Sequence, residues 1–206
     1  MAVVNETPKR RGRPPAGGRE AIIAAALQVI RERGIARLTA REVAALAGVS
    51  EASVFYHYKD RAGLLQAVFA EGVAPLKALA EGAVQPGSDP REVLTVYGRT
   101  LEEFLDQVLP VIAAAQSDIE LRDVLAAYMA ENDMGPHRGV AAIGAFFAGE
   151  QAAGRARPDL DPYALAMMFI GACQTRAAQR QLPLPAVELP PLEDIIEATV
   201  AALRAA

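Results

Sequence analysis

Apolar residues recur along this chain at intervals of three and four, and nowhere as a sustained alternation. Ile22, Ile23, Ala26, Leu27 and Ile30 fall on one helical face, and Gly34 follows Arg31 and Arg33 as a stop, so the spacing predicts a helix over about 20–33. A shorter helix opens at Thr39. There "TARE" reads as a capping box, with Thr39 accepting the amide three residues on and Glu42 reaching back. Val43, Ala44, Leu46 and Ala47 supply its apolar face. In "AGVS", Gly48 permits a left-handed turn, Val49 points to the core, and Ser50 caps a third helix, "EASVFYHY". Lys59 and Asp60 separate it from a longer helix starting near Gly63. The remaining helical segments lie near 63–82, 90–109, 111–117, 119–131, 138–153, 162–180 and 191–205, broken at "QPGSDP", Pro110, "NDMGP", "GRARPDLDP" and "LPLPAVELPP". The expected fold is all-α: two short helices joined by a glycine turn, a helix-turn-helix, within a three-helix head, followed by a helical bundle.

Composition narrows this further. At 206 residues and 52% hydrophobic, the chain suits one large or two small domains with a core of Ala, Leu, Val and Ile. No apolar stretch reads as clean enough to span a bilayer, and the N-terminus has basic and turn-forming residues where a secretory signal would be apolar. The lone cysteine, Cys173, fits a reducing compartment. The expectation is a cytoplasmic protein without a membrane partner.

The net charge of −4 conceals an asymmetry. Residues 1–65 carry 11 Lys+Arg against 6 Asp+Glu, and residues 66–206 carry 10 against 19. A basic first third points to a polyanionic partner there. Most of the excess sits in a basic arm, 1–18, which lacks apolar periodicity and reads as disordered when free. Within it "RGRP", residues 11–14, resembles the core of an AT-hook. Gly12 lets the backbone lie in a narrow minor groove, Arg11 and Arg13 extend along it, and Pro14 and Pro15 hold the chain extended. The alternative is a basic tail that attracts phosphate without regard to sequence.

The stretch "GIARLTAREVAALAGVSEASVFYHYKDRAGLL" resembles the DNA-binding pattern of the tetracycline-repressor (TetR) family of bacterial transcription regulators. "GRARPDLDPYALAMMFIGA" resembles, less specifically, the loop and helix leading into that family's dimerisation region. The resemblance implies a DNA-binding head over 19–65 and a ligand-binding, dimerising body over 66–206. It also implies a homodimer that represses from a palindromic double-stranded operator until a small-molecule effector binds.

A recognition helix meets base edges with its N-terminal half, here Ser50, Glu51, Ala52 and Ser53. Ser53 can bond several base edges, Ala52 can touch a thymine methyl, and Glu51 suits the helix dipole better than a base. Thr39 and Arg41 open the helix expected to cross the phosphate backbone. Phe55 stands where the family usually has a phosphate-bonding Tyr, so Tyr56 is the candidate phenol. His57 and Lys59 match positions near the backbone, and Tyr58 matches a core position. In the body, the candidate effector contacts are Tyr97, Phe104, Gln116, Tyr128, Met129, Met167, Met168 and Gln174, in surroundings that favour a hydrophobic or amphipathic ligand. By the resemblance, 138–153 and 162–180 form the dimer interface, with Gly139, Ala142, Gly144 and Ala145 allowing close approach and Phe146, Phe147 and Met168 adding apolar area. The same residues can face the chain's own core.

Two other function classes compete. An enzyme finds little support: there is no phosphate-cradling glycine loop, nucleophile elbow or metal-ligand cluster, and only His57 and His137 are available for imidazole chemistry. No catalytic residue, metal or cofactor is expected. An architectural DNA-binding protein that prefers A·T tracts would use the arm but leave a body of 66–206 without a purpose.

Overall fold

The computed structural model describes residues 18–82, 87–182 and 187–204. These residues form α1 (Gly18–Arg33), a 3-10 turn (Ile35–Arg37), α2 (Ala40–Ala47), α3 (Glu51–Tyr58), α4 (Arg61–Gly82), α5 (Pro90–Ala115), α6 (Ile119–Glu131), α7 (Pro136–Ala152), α8 (Pro162–Gln181) and α9 (Leu192–Leu203), with no strand among them. The all-α fold with a helix-turn-helix head and a helical body is therefore present. The arm, with Arg11 and Arg13, lies outside the described residues.

Local chemistry explains the head. Thr39 caps α2 by accepting the Glu42 amide at 3.2 Å. Glu42 does not return the bond; its carboxylate pairs with Arg33 instead, a charge-assisted contact stronger than the neutral one it displaces. Gly48 ends α2 at φ +68°, the left-handed value that glycine adopts freely. Ser50 caps α3 by accepting the Ser53 amide at 3.1 Å. Asp60 Oδ1 accepts the Gly63 amide at 2.7 Å and starts α4.

Two apolar cores share α5. The first joins Ile22, Val29, Leu38, Val43, Val54 and Leu65 of the head to Val108 and Val111 of α5 and Leu121 and Leu125 of α6. The second joins Leu94, Tyr97 and Leu101 of α5 to Phe147, Phe169 and Val200 of α7, α8 and α9. The half-buried Phe104 packs against both. The head therefore rests directly on the base of the body, and α4 runs unbroken past residue 65.

Two expectations are corrected. Pro110 does not break the chain into 90–109 and 111–117; α5 continues through it to Ala115. Proline removes one helical amide, which a distant donor can replace. Arg61–Leu79 in α4 is long and apolar enough, by length and composition, to cross a bilayer. Within it, Leu64, Leu65, Val68 and Phe69 are buried in the first core. Of the two roles open to Phe146 and Phe147, the structure shows the one within the chain: both are buried in its own core.

Candidate nucleic-acid interface

Helix α3 buries only Val54 and Tyr58, one turn apart on one face. Tyr58 is also tied to α1, donating its hydroxyl to the Arg19 carbonyl at 3.2 Å. Burial raises this phenol's pKa above its usual value, so it stays protonated and able to donate. With that face anchored, the opposite one projects outward. Ala52, Phe55, Tyr56 and His57 are all exposed, Tyr56 at 84% and Phe55 at 52%. Tyr56 sits edge-on to His57 at 5.2 Å, so neither ring is spent on the core.

Exposed cations flank α3, together with the exposed carboxylates of Glu51 and Asp60. Arg37, Arg41 and Lys59 are exposed and form no ion pair among the described residues. Lys59 closes α3 with φ +59°, a backbone conformation that non-glycine residues rarely hold. Thr39, Arg41, Ser50, Ala52, Ser53, Tyr56, His57 and Lys59 all belong to the consecutive elements α2, turn and α3 or their caps. Ser50 is committed to its cap, which leaves Ser53 as the freer hydroxyl. The sequence reading passed over Arg37. Its signal was its place in "ARLTAR", four residues before Arg41 at the end of the 3-10 turn, and its carbonyl accepts the Thr39 amide at 2.8 Å.

The expected effector residues do not converge. Tyr97 lies in the second core at 4% exposure; burial pushes its phenol up to about 12, and its hydroxyl makes no hydrogen bond among the described residues. Phe104 and Tyr128 both meet Phe69 edge-on, at 6.3 and 6.4 Å, and Met129 packs nearby on the first core. Gln116 is exposed in the turn between α5 and α6, where it cannot wall a pocket with the others. Met167 and Gln174 line an outward groove of about 560 Å³ between α7 and α8, with His137, Tyr163 and Ile170. Cys173 is fully buried beneath, and burial pushes its thiol up to about 12, which makes it inert. No cluster of metal-ligating side chains occurs among the described residues.

Of the small residues expected at a dimer face, Gly139 and Gly144 serve the chain itself. A Cβ on Gly144 would stand 2.3 Å from the Tyr163 ring, and one on Gly139 would stand 3.1 Å from the Tyr97 hydroxyl. The apolar surface that α8 leaves outward is Tyr163, Met167 and Met168, exposed by 48, 66 and 71%.

Residues 22–68 match the tetR family of bacterial regulatory proteins. A stretch of 57 residues is 37% identical to the HTH-type transcriptional repressor BepR of Brucella suis, spanning 28% of this chain and 27% of that protein. Among solved structures, SmeT, the repressor of the Stenotrophomonas maltophilia multidrug efflux pump SmeDEF, aligns over 91% of this chain and 90% of its own, with a TM-score of 0.61 at 19% identity. A TetR family transcriptional regulator from Pseudomonas syringae aligns over 90% and 94%, with a TM-score of 0.59 at 22% identity. At these identities the structures share the fold.

Proposed function

We propose that the chain is a cytoplasmic, homodimeric transcriptional repressor that leaves a palindromic operator when a small hydrophobic or amphipathic effector enters its body. The observation that carries this reading is the outward face of α3, whose residues have no structural task within the chain. Ala52 and Ser53 meet base edges in the major groove. Tyr56, His57, Lys59, Thr39, Arg41 and Arg37 bond phosphates and fix the register. Arg11 and Arg13 of the arm follow an adjacent A·T-rich minor groove. Tyr163, Met167 and Met168 bring two copies together through α7 and α8.

Selection from random duplex DNA tests this reading. Enrichment of one inverted repeat, bound by a dimer and released by a compound found in a ligand screen, is the expected result. Enrichment of A·T tracts without a repeat would instead make the protein architectural.

A further inference from the structure

A proline inside a helix brings no N–H to the carbonyl four residues before it. In α5 that carbonyl belongs to Asp106, paired in register with Pro110, yet the helix continues. Arg31, in the last turn of α1, donates from Nη2 to the Asp106 carbonyl at 3.1 Å. The donor that α5 lacks is supplied by the head. Asp106 is held from the body as well: Arg180 Nε of α8 donates to its Oδ1 at 3.0 Å. The neighbouring Glu102 accepts from Arg180 Nη1 at 2.9 Å and from Arg176 Nε at 2.6 Å.

A second arginine anchors the head one turn further on. Arg61 Nη2 donates to the Ile35 carbonyl at 2.7 Å, and its Nη1 donates to Asp118 Oδ2, the cap of α6, at 2.9 Å. Between the two anchors, the α1–α5 contact is apolar, and apolar contact alone is non-directional. Beside the continuous α4, hydrogen bonds to fixed points on α5 and α6 give this contact a direction.

We propose that Arg31 is a positioning residue: by capping the Asp106 carbonyl that Pro110 leaves open, it fixes the angle of the head on the body, and with it the half-site spacing that a dimer reads. The inference rests on the dimeric operator reading above. In a two-fold dimer, the separation of the two α3 helices follows from the tilt of each head, so a loosened anchor blurs spacing before it weakens contact with either half-site.

The test uses the full chain as wild type, R31A, R31K, P110A and R31A/P110A, selecting from duplexes in which two half-sites are separated by every spacing over roughly 10 base pairs. The wild type should enrich one spacing. R31A should keep the half-site but lower the preference for the best spacing over its neighbours by about tenfold. R31K should recover part of it, because an ammonium still donates one hydrogen bond. In the P110A background, where residue 110 offers its own amide, R31A should have a much smaller effect. Arg31 is exposed, so circular dichroism should show each R31 variant folded. Spacing unchanged in R31A would overturn the proposal. So would an equal loss of affinity at every spacing, which marks plain attraction to phosphate, or an equal R31A effect with and without Pro110. If the wild type enriches no paired half-sites, the operator reading itself fails and the inference with it. A sharp wild-type spacing kept by R31A sinks the inference alone.

Discussion

Gly63 lies directly against the end of α3: a Cβ there would stand 2.3 Å from the Tyr58 carbonyl oxygen. The neighbour is backbone, so it cannot swing aside as a side chain would. Gly63→Ala must push α3 away from α4 or distort the Asp60 cap, whose Oδ1 accepts the Gly63 amide. The expected loss of stability is about 1–3 kcal/mol, the usual range for overpacking. Chemical denaturation measures it, and a change below about 0.5 kcal/mol would mean that the two helices can part freely.

Lys59 illustrates a conflict between stability and binding. Its φ of +59° strains an L-residue, and glycine would relieve that strain. Lys59→Gly is expected to raise the stability of the chain by about 0.5–1 kcal/mol. The same change removes one exposed cation beside α3, so DNA binding should weaken and the salt slope should flatten by about 0.9. Titrations at several salt concentrations, set beside melting curves, measure both effects. A more stable protein with an unchanged salt slope would remove Lys59 from the phosphate contacts.

The sequence revealed most where the chemistry is local. Thr39, Gly48 and Ser50 marked the caps and the turn because each acts within three residues of itself. The resemblance placed Tyr58 in the core, and the structure buries Val54 one turn before it, which leaves the rest of α3 facing outward. What failed depended on distant partners. Pro110 read as a break because the donor that rescues α5 is Arg31, 75 residues from Asp106. The second half of the capping box failed because Arg33 claimed Glu42. Effector candidates picked by residue type scattered, since type alone does not say that Phe104 and Tyr128 would meet Phe69 while Gln116 stood in an exposed turn.

Glu150 should make the protein acid-sensitive. It is buried at the end of α7, where Oε1 accepts from Arg155 Nη2 at 2.7 Å and from the Gly87 amide at 3.1 Å, and Oε2 accepts from Arg155 Nε at 2.8 Å. The hydrogen bonds from Arg155 hold its carboxyl below the ordinary value, against an opposing push from burial. A carboxyl with a lowered folded pKa stabilises the native state above its unfolded value. That contribution is lost as pH falls through the folded value. Glu150→Gln should cost about 1–3 kcal/mol at neutral pH. It should also melt with a shallower pH dependence than wild type between neutrality and about pH 3. Parallel melting profiles for the two proteins would show that the pair contributes nothing to acid sensitivity.

The outward face of α8 yields the test of assembly. Met167 and Met168 are exposed by 66 and 71%, so replacing them leaves the two apolar cores untouched. In a dimer built on α7 and α8 they are buried, and a carboxylate at either position would be placed in an apolar interface without a partner. Met167→Glu and Met168→Glu should therefore leave the helical content and melting of the monomer intact while shifting a dimer toward monomer in analytical ultracentrifugation. Operator affinity should fall with them, since each half-site would then be bound separately and the effective concentration that links the two heads is lost. If both variants sediment as wild type, the dimer does not use this face, and Tyr163, Met167 and Met168 are left as ordinary exposed surface.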